Sequence, residues 1–74
     1  MAEERKPLER VTVNLVPRAS KALRAAVDIT GDSKTDTINR AIQMYAYFEH
    51  TAREGGEILV RDQPGGELSV VRWY

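Results

Sequence analysis

Polar and apolar side chains alternate strictly between residues 10 and 15. One face carries Val11, Val13 and Leu15, and the other carries Arg10, Thr12 and Asn14. A two-residue period predicts a β-strand with one packed face and one solvated face. Pro17 comes almost at once and suits the first turn of a helix, so no hairpin turn intervenes. The predicted strand lacks a local partner, and the obvious partner is its copy in a second chain.

Two amphipathic helices are predicted next. From Arg18 to about Ile29 apolar residues recur at steps of three and four, which is the period of a helix packed on one side. Gly31 supplies the left-handed position that ends this helix, and Ser33 is the expected N-cap of the second. The second helix continues from Thr37 to about Arg53. Its apolar stripe consists of Ile38, Ala41, Ile42, Tyr45 and Phe48.

The C-terminal tail, residues 55–74, has a β-type pattern. Gly55-Gly56 ends the second helix, and two β-like runs follow at 57–61 and 68–73. The turn sequence Asp-Gln-Pro-Gly-Gly separates them and predicts a β-hairpin, although a tail that is partly mobile is the alternative. Trp73 and Tyr74 are expected to cover the helices or to anchor a protein partner, and packing is the commoner outcome.

Length and composition favour an oligomer. With 74 residues the chain forms one domain, whose core is small. It has no cysteine, and His50 is its single histidine, so neither a disulfide nor a metal site is expected to add stability. Association of two chains is the remaining route. No apolar run reaches membrane length and residues 1–10 do not form a secretory signal, so we expect a cytoplasmic protein with a mobile arm over residues 1–9.

The net charge is zero, but its distribution is uneven. Residues 1–40 carry eight Lys or Arg against six acids, which gives +2, and residues 41–74 carry three against five, which gives −2. A dimer would carry +4 on its front halves, a weak electrostatic footprint for DNA. No nucleophile–base pair, paired-carboxylate site or phosphate-binding glycine loop is present in the pattern, so we do not expect an enzyme or a cofactor.

The order strand, helix, glycine turn, longer helix resembles the ribbon-helix-helix family, which includes Arc-, MetJ- and CopG-type regulators and many antitoxins. The resemblance covers about residues 10–52 and is carried by the strand at 10–15, by Pro17, by Gly31-Asp-Ser33 and by Thr35-Asp-Thr-Ile-Asn-Arg-Ala41. Val16 is an extra residue before the proline, and the tail lies outside the family pattern. The implied fold is mainly α: an intertwined homodimer with a two-stranded antiparallel intermolecular ribbon, here extended by a C-terminal β-hairpin.

The resemblance implies that residues 10–54 bind DNA and dimerise. The ribbon would enter the major groove with Arg10, Thr12 and Asn14 facing the bases, where arginine pairs with guanine and asparagine with adenine. The alternative is that these side chains are simply the solvated face of a strand. The implied phosphate contacts are Ser33, Lys34, Thr35 and, with less support, Arg18. Ser33 is also needed as a cap, and Asp32 and Asp36 would repel a phosphate, so Lys34 is preferred.

The predicted dimer core consists of Val11, Val13, Leu15, Leu23, Val27, Ile38, Ile42 and Tyr45. Three functions fit this dimer. The first is a transcriptional repressor that binds double-stranded DNA, with two dimers side by side on tandem half-sites. The second is an antitoxin whose residues 55–74 bind a toxin. The third is a protein-interaction dimer of phage or plasmid origin without DNA binding, which the neutral charge favours and the polar strand face opposes.

Overall fold

The computed structural model describes residues 8–73 and is mainly helical. Helix α1 spans Pro17–Thr30, helix α2 spans Lys34–Arg53, and strands β1 (Leu59–Arg61) and β2 (Leu68–Val70) form a two-stranded antiparallel sheet. The predictions for residues 1–7 of the arm and for Tyr74 lie outside the described residues.

The boundaries of α1 are set by backbone chemistry at its two ends. Pro17 occupies the first turn, where a missing N–H costs no helical hydrogen bond. Gly31 ends the helix with φ at 76°, and its N–H donates to the Val27 carbonyl at 2.8 Å. This left-handed position is easily reached by glycine and strained for residues with a Cβ. The predicted glycine cap of α1 is confirmed.

Helix α2 begins directly after its cap. The Ser33 hydroxyl accepts a hydrogen bond from the Asp36 N–H at 3.0 Å, and the Ser33 carbonyl accepts one from the Thr37 N–H at 3.0 Å. These bonds confirm Ser33 as the N-cap. At the other end Glu54 is the C-cap, and Gly55 has φ at 86°. The chain leaves the helix there and enters the tail.

The predicted C-terminal hairpin is confirmed, with strands shorter than the β-like runs. The register pairs Leu59 with Val70 and Arg61 with Leu68. One further bond, from the Val71 N–H to the Ile58 carbonyl at 2.8 Å, continues the ladder towards α2. The turn is closed by the Gly66 N–H, which donates to the Gln63 carbonyl at 2.9 Å.

Residues 8–16 form no strand within one chain. The prediction of a strand at 10–15 depended on pairing with a second copy, so a single chain leaves it a prediction. Helices α1 and α2 pack against each other, yet no residue between 8 and 73 is buried. The apolar side chains of the helical region therefore line open surfaces instead of closing a core.

Candidate nucleic-acid interface

The segment in front of α1 exposes both of its faces. Arg10, Thr12 and Asn14 are exposed, as their predicted role requires. The apolar residues between them are exposed as well: Val11 is 66% exposed, Val13 60% and Leu15 44%.

The apolar side of this segment lies near α2. Val11 lines an open cleft of about 230 Å³ together with Ile38 and Ile42 of α2, and the cleft is also lined by Thr35 and Asn39. The segment thus reaches the first half of α2 without covering it, since Ile42 remains 62% exposed. Apolar surface of this kind gains free energy when it is covered by further apolar surface.

A second open groove runs between the two helices. It has a volume of about 310 Å³, and Leu15, Leu23 and Ile38 line it together with alanines of both helices. Of the predicted dimer-core residues, Leu23 and Val27 are half-buried between the helices of one chain. The others are exposed and are Val11, Val13, Leu15, Ile38, Ile42 and Tyr45.

The N-terminus of α2 brings together the residues predicted to contact phosphate. The N–H groups of Lys34 and Thr35 lie in the first turn, where a helix has no internal acceptors for them. Both side chains are exposed. The Ser33 hydroxyl already accepts from Asp36, so its role as a cap is observed and its contact with DNA stays a prediction.

The charge at this end of α2 differs from the simple sequence count. Asp32 forms an ion pair with Arg40, whose Nη1 lies 3.4 Å from the Asp32 Oδ2. The arginine offsets the carboxylate expected to repel a phosphate at the helix start. Sequence reasoning missed this pair because an eight-residue separation across a turn has no fixed geometry.

Arg18, the lower-ranked phosphate contact, is exposed in the first turn of α1, on an element separate from Lys34. On the same helix Arg24, expected on a solvated face, donates to the Ser20 hydroxyl at 3.3 Å. The structure therefore brings Ser33, Lys34 and Thr35 together at one helix end, whereas Arg18 stands at another.

A third group of side chains joins the tail to α2. The Trp73 indole N–H donates to the Glu49 carboxylate at 3.0 Å. The Trp73 ring lies 5.1 Å from the Phe48 ring at an interplanar angle of 52°, an inclined aromatic contact. A hydrogen bond to Glu49, together with the negative charge of that carboxylate, raises the pKa of Tyr45. The expectation that Trp73 covers the helices is confirmed, while the part played by Glu49 had no signal in the sequence.

Within residues 8–73, no helix is long and apolar enough to cross a membrane, and no group of three or more histidine and acidic side chains is placed to hold a metal ion. Comparison of the chain with protein-family models, curated proteins and solved structures finds no match.

Proposed function

We propose that this protein is a homodimeric, sequence-specific DNA-binding repressor of the ribbon-helix-helix type, acting in the cytoplasm. The observation that carries the proposal is the exposed segment at residues 10–15. Its polar face offers three side chains suited to base edges, and its apolar face lies open beside the uncovered surface of α2.

The dimer is supported by the amount of surface that one chain leaves open. The chain exposes 7190 Å², whereas a compact monomer of 8.3 kDa would expose about 4600 Å². Stable protein interfaces bury roughly 1,200–2,000 Å² in total, and obligate ones bury more. The open grooves beside Ile38 and Ile42 are therefore large enough to account for an extensive interface with a second copy.

Base recognition is assigned to the polar face of the segment. In an antiparallel ribbon made by two copies, Arg10, Thr12 and Asn14 occur twice, related by a two-fold axis. Arginine forms two hydrogen bonds to guanine, and asparagine forms two to adenine. We therefore expect an operator with two inverted half-sites.

Backbone contacts are assigned to the start of α2. The first-turn N–H groups and the helix dipole favour an anion there, and Lys34 adds a full positive charge. The pairing of Asp32 with Arg40 supports this assignment because it removes much of the nearest repulsion. Such contacts position the protein on the duplex, while the ribbon carries specificity.

The test is fluorescence anisotropy against the DNA upstream of the gene, with random DNA of equal length, at two salt concentrations. Arg10→Ala and Asn14→Ala should each reduce discrimination by about 1–3 kcal/mol while the dimer stays folded. Lys21→Ala, which removes an exposed charge from α1, is the matched control and should leave discrimination unchanged. Unchanged operator affinity in both ribbon variants would refute the base-reading assignment.

Lys34→Ala separates phosphate contacts from base contacts. Loss of one phosphate contact should weaken binding to both DNAs about equally and make the salt dependence shallower by about one ion. Equal, weak binding of the unmodified protein to both DNAs would instead indicate the protein-interaction dimer. Specific DNA binding that tightens when a toxin occupies residues 55–74 would indicate the antitoxin.

A further inference from the structure

The C-terminal hairpin has an unpaired edge along β1. Within residues 8–73 the sheet contains only two strands, and β1 pairs with β2 alone. Leu59 is 49% exposed on one face, and Val60 is 44% exposed on the other. A two-stranded hairpin is marginally stable in water, and additional strands or a helix are needed to cover its apolar faces. Trp73 supplies a helix contact at one end only.

The register determines which backbone groups of β1 point outward. The bond from Val71 N–H to the Ile58 carbonyl makes these residues a hydrogen-bonded pair, and Val60 with Ser69 is the next such pair along the ladder. Leu59 and Arg61 lie at the alternate positions, so their N–H and C=O groups point away from β2. They form a row of unpaired donors and acceptors at the edge.

The sequence of this edge is complementary to itself. It reads Glu-Ile-Leu-Val-Arg from Glu57 to Arg61, with an acid at one end, a base at the other and Leu59 at the centre. Antiparallel pairing of two copies about Leu59 sets each Glu57 opposite the other copy's Arg61. All outward backbone groups then meet outward groups. Parallel pairing in register would instead oppose like charges, which is unfavourable.

The opposite edge of the hairpin lacks this property. On β2 the outward positions are Leu68 and Val70, which alternate with the hydrogen-bonded residues. A two-fold axis at Val70 would place Leu68 opposite Arg72 and Glu67 opposite Trp73. No acid meets a base in that arrangement, so self-recognition is specific to β1.

We propose that β1 is a second self-association site, where it pairs antiparallel with β1 of another copy about a two-fold axis at Leu59. The product is a four-stranded sheet in the order β2-β1-β1-β2. On one face, Leu59 of both copies stands in a continuous apolar row between their Val70 residues, because directly opposed residues share a face. This site uses no residue assigned to DNA, so it stands or falls independently of the proposed repressor function.

Cysteine cross-linking tests the register, since the chain contains no cysteine. In the proposed pairing the two Leu59 Cα atoms lie about 5.5 Å apart, within the range of a disulfide. The two Val60 Cα atoms are offset by two residues and lie about 8 Å apart, beyond that range. Under mild oxidation without DNA, Leu59→Cys should form cross-linked dimers at least about tenfold faster than Val60→Cys. Equal rates in the two variants would overturn the proposal.

Two further measurements guard against a variant that alters the hairpin itself. Mixed Glu57→Cys and Arg61→Cys proteins should cross-link to each other and not to themselves. In a Leu59→Cys background, Glu57→Arg places like charges opposite each other twice and should slow cross-linking about tenfold. Glu67→Arg makes the same charge change on β2 and should have little effect. Self-cross-linking of Glu57→Cys, or equal effects of the two arginines, would contradict the register.

Sedimentation of the cross-linked Leu59→Cys protein then identifies the copy that is captured. A mass of two chains means that the hairpins pair within one dimer, and a mass of four means that they join two dimers. Both results support the β1 pairing. DNA titration of the same material shows separately whether the ribbon functions as proposed.

Discussion

The two ends of the described chain contain alternating segments of similar character but treat them differently. Residues 10–15 alternate regularly, yet they form no strand within one chain. Residues 57–73 alternate less regularly, yet they fold into a hairpin. The difference lies in the connection after the first run of each segment. Pro17 begins a helix at once, whereas residues 62–66 form a turn that returns the chain on itself. Local turn chemistry thus decides whether a segment pairs within its own chain.

The same contrast extends to the side chains. The tail places Trp73 against Phe48 and Glu49, so part of its apolar surface is covered within one chain. The helical region leaves Ile38 and Ile42 exposed beside open grooves. We therefore expect substitutions in the helical region to act mainly on association and those in the tail to act mainly on local docking.

The largest expected effect is that of Ile42→Asp. The side chain lies on the α2 surface that we assign to the dimer, where an unpaired charge costs several kcal/mol. Circular dichroism and sedimentation should show loss of helix and of the dimer. Gln43→Asp, one residue along on the same helix, is the control and should keep both. A folded dimer carrying Ile42→Asp would show that this face of α2 is not the interface.

Trp73→Ala should have the next largest effect, confined to the tail. It removes the ring contact with Phe48 and the hydrogen bond to Glu49, at a local cost of about 2–4 kcal/mol. Hydrogen exchange should accelerate at the amides of β1 and β2 while α1 is unchanged. Trp73→Phe keeps a ring and loses the hydrogen bond, so it should cost about 1 kcal/mol. Equal acceleration in α1 would mean that the two regions unfold as one unit.

Gly31→Ala should destabilise the helical region by about 1 kcal/mol. An added Cβ would meet no atom within 4 Å, so the cost comes from the left-handed backbone at φ 76° alone. Thermal unfolding should shift downward by about 4–8 °C. Gly31→Asn should lose less, because asparagine tolerates this conformation better. An asparagine variant as unstable as the alanine variant would argue against a conformational cause.

The smallest expected effect concerns the ionisation of Tyr45. Glu49 raises its pKa by a hydrogen bond and by its charge. A folded pKa above the unfolded value means that the associated stability is present below pH 10 and is lost as the pH rises through the folded pKa. Glu49→Gln should lower the Tyr45 pKa towards its ordinary value, measured by NMR of ring-labelled tyrosine. Tyr47 in the same spectra serves as the internal reference.

Much of the secondary structure could be predicted from short-range signals. Pro17 and Gly31 mark the ends of α1, and Ser33 marks the start of α2, because each acts through backbone groups within a few residues. The hairpin was predictable from the turn that separates its strands. These features require no knowledge of the tertiary arrangement.

Other features depend on distances across the chain and were not predictable. Glu49 accepts from Trp73 across 24 residues, and Asp32 pairs with Arg40 around the start of α2. Nothing in a hydrophobic pattern distinguishes these carboxylates from solvated ones. The partner of residues 10–15 is a further step removed, since its proposed position belongs to another chain.

The length of α2 has a practical consequence for handling the protein. From Lys34 to Phe48 the helix rises about 21 Å, so the docked tail is separated from the proposed phosphate-binding end by about the width of a DNA duplex. A dye or fused reporter attached beyond the hairpin would therefore stand clear of a bound operator. Helix α2 serves as a rigid spacer, and it allows the two ends of the molecule to be observed at the same time.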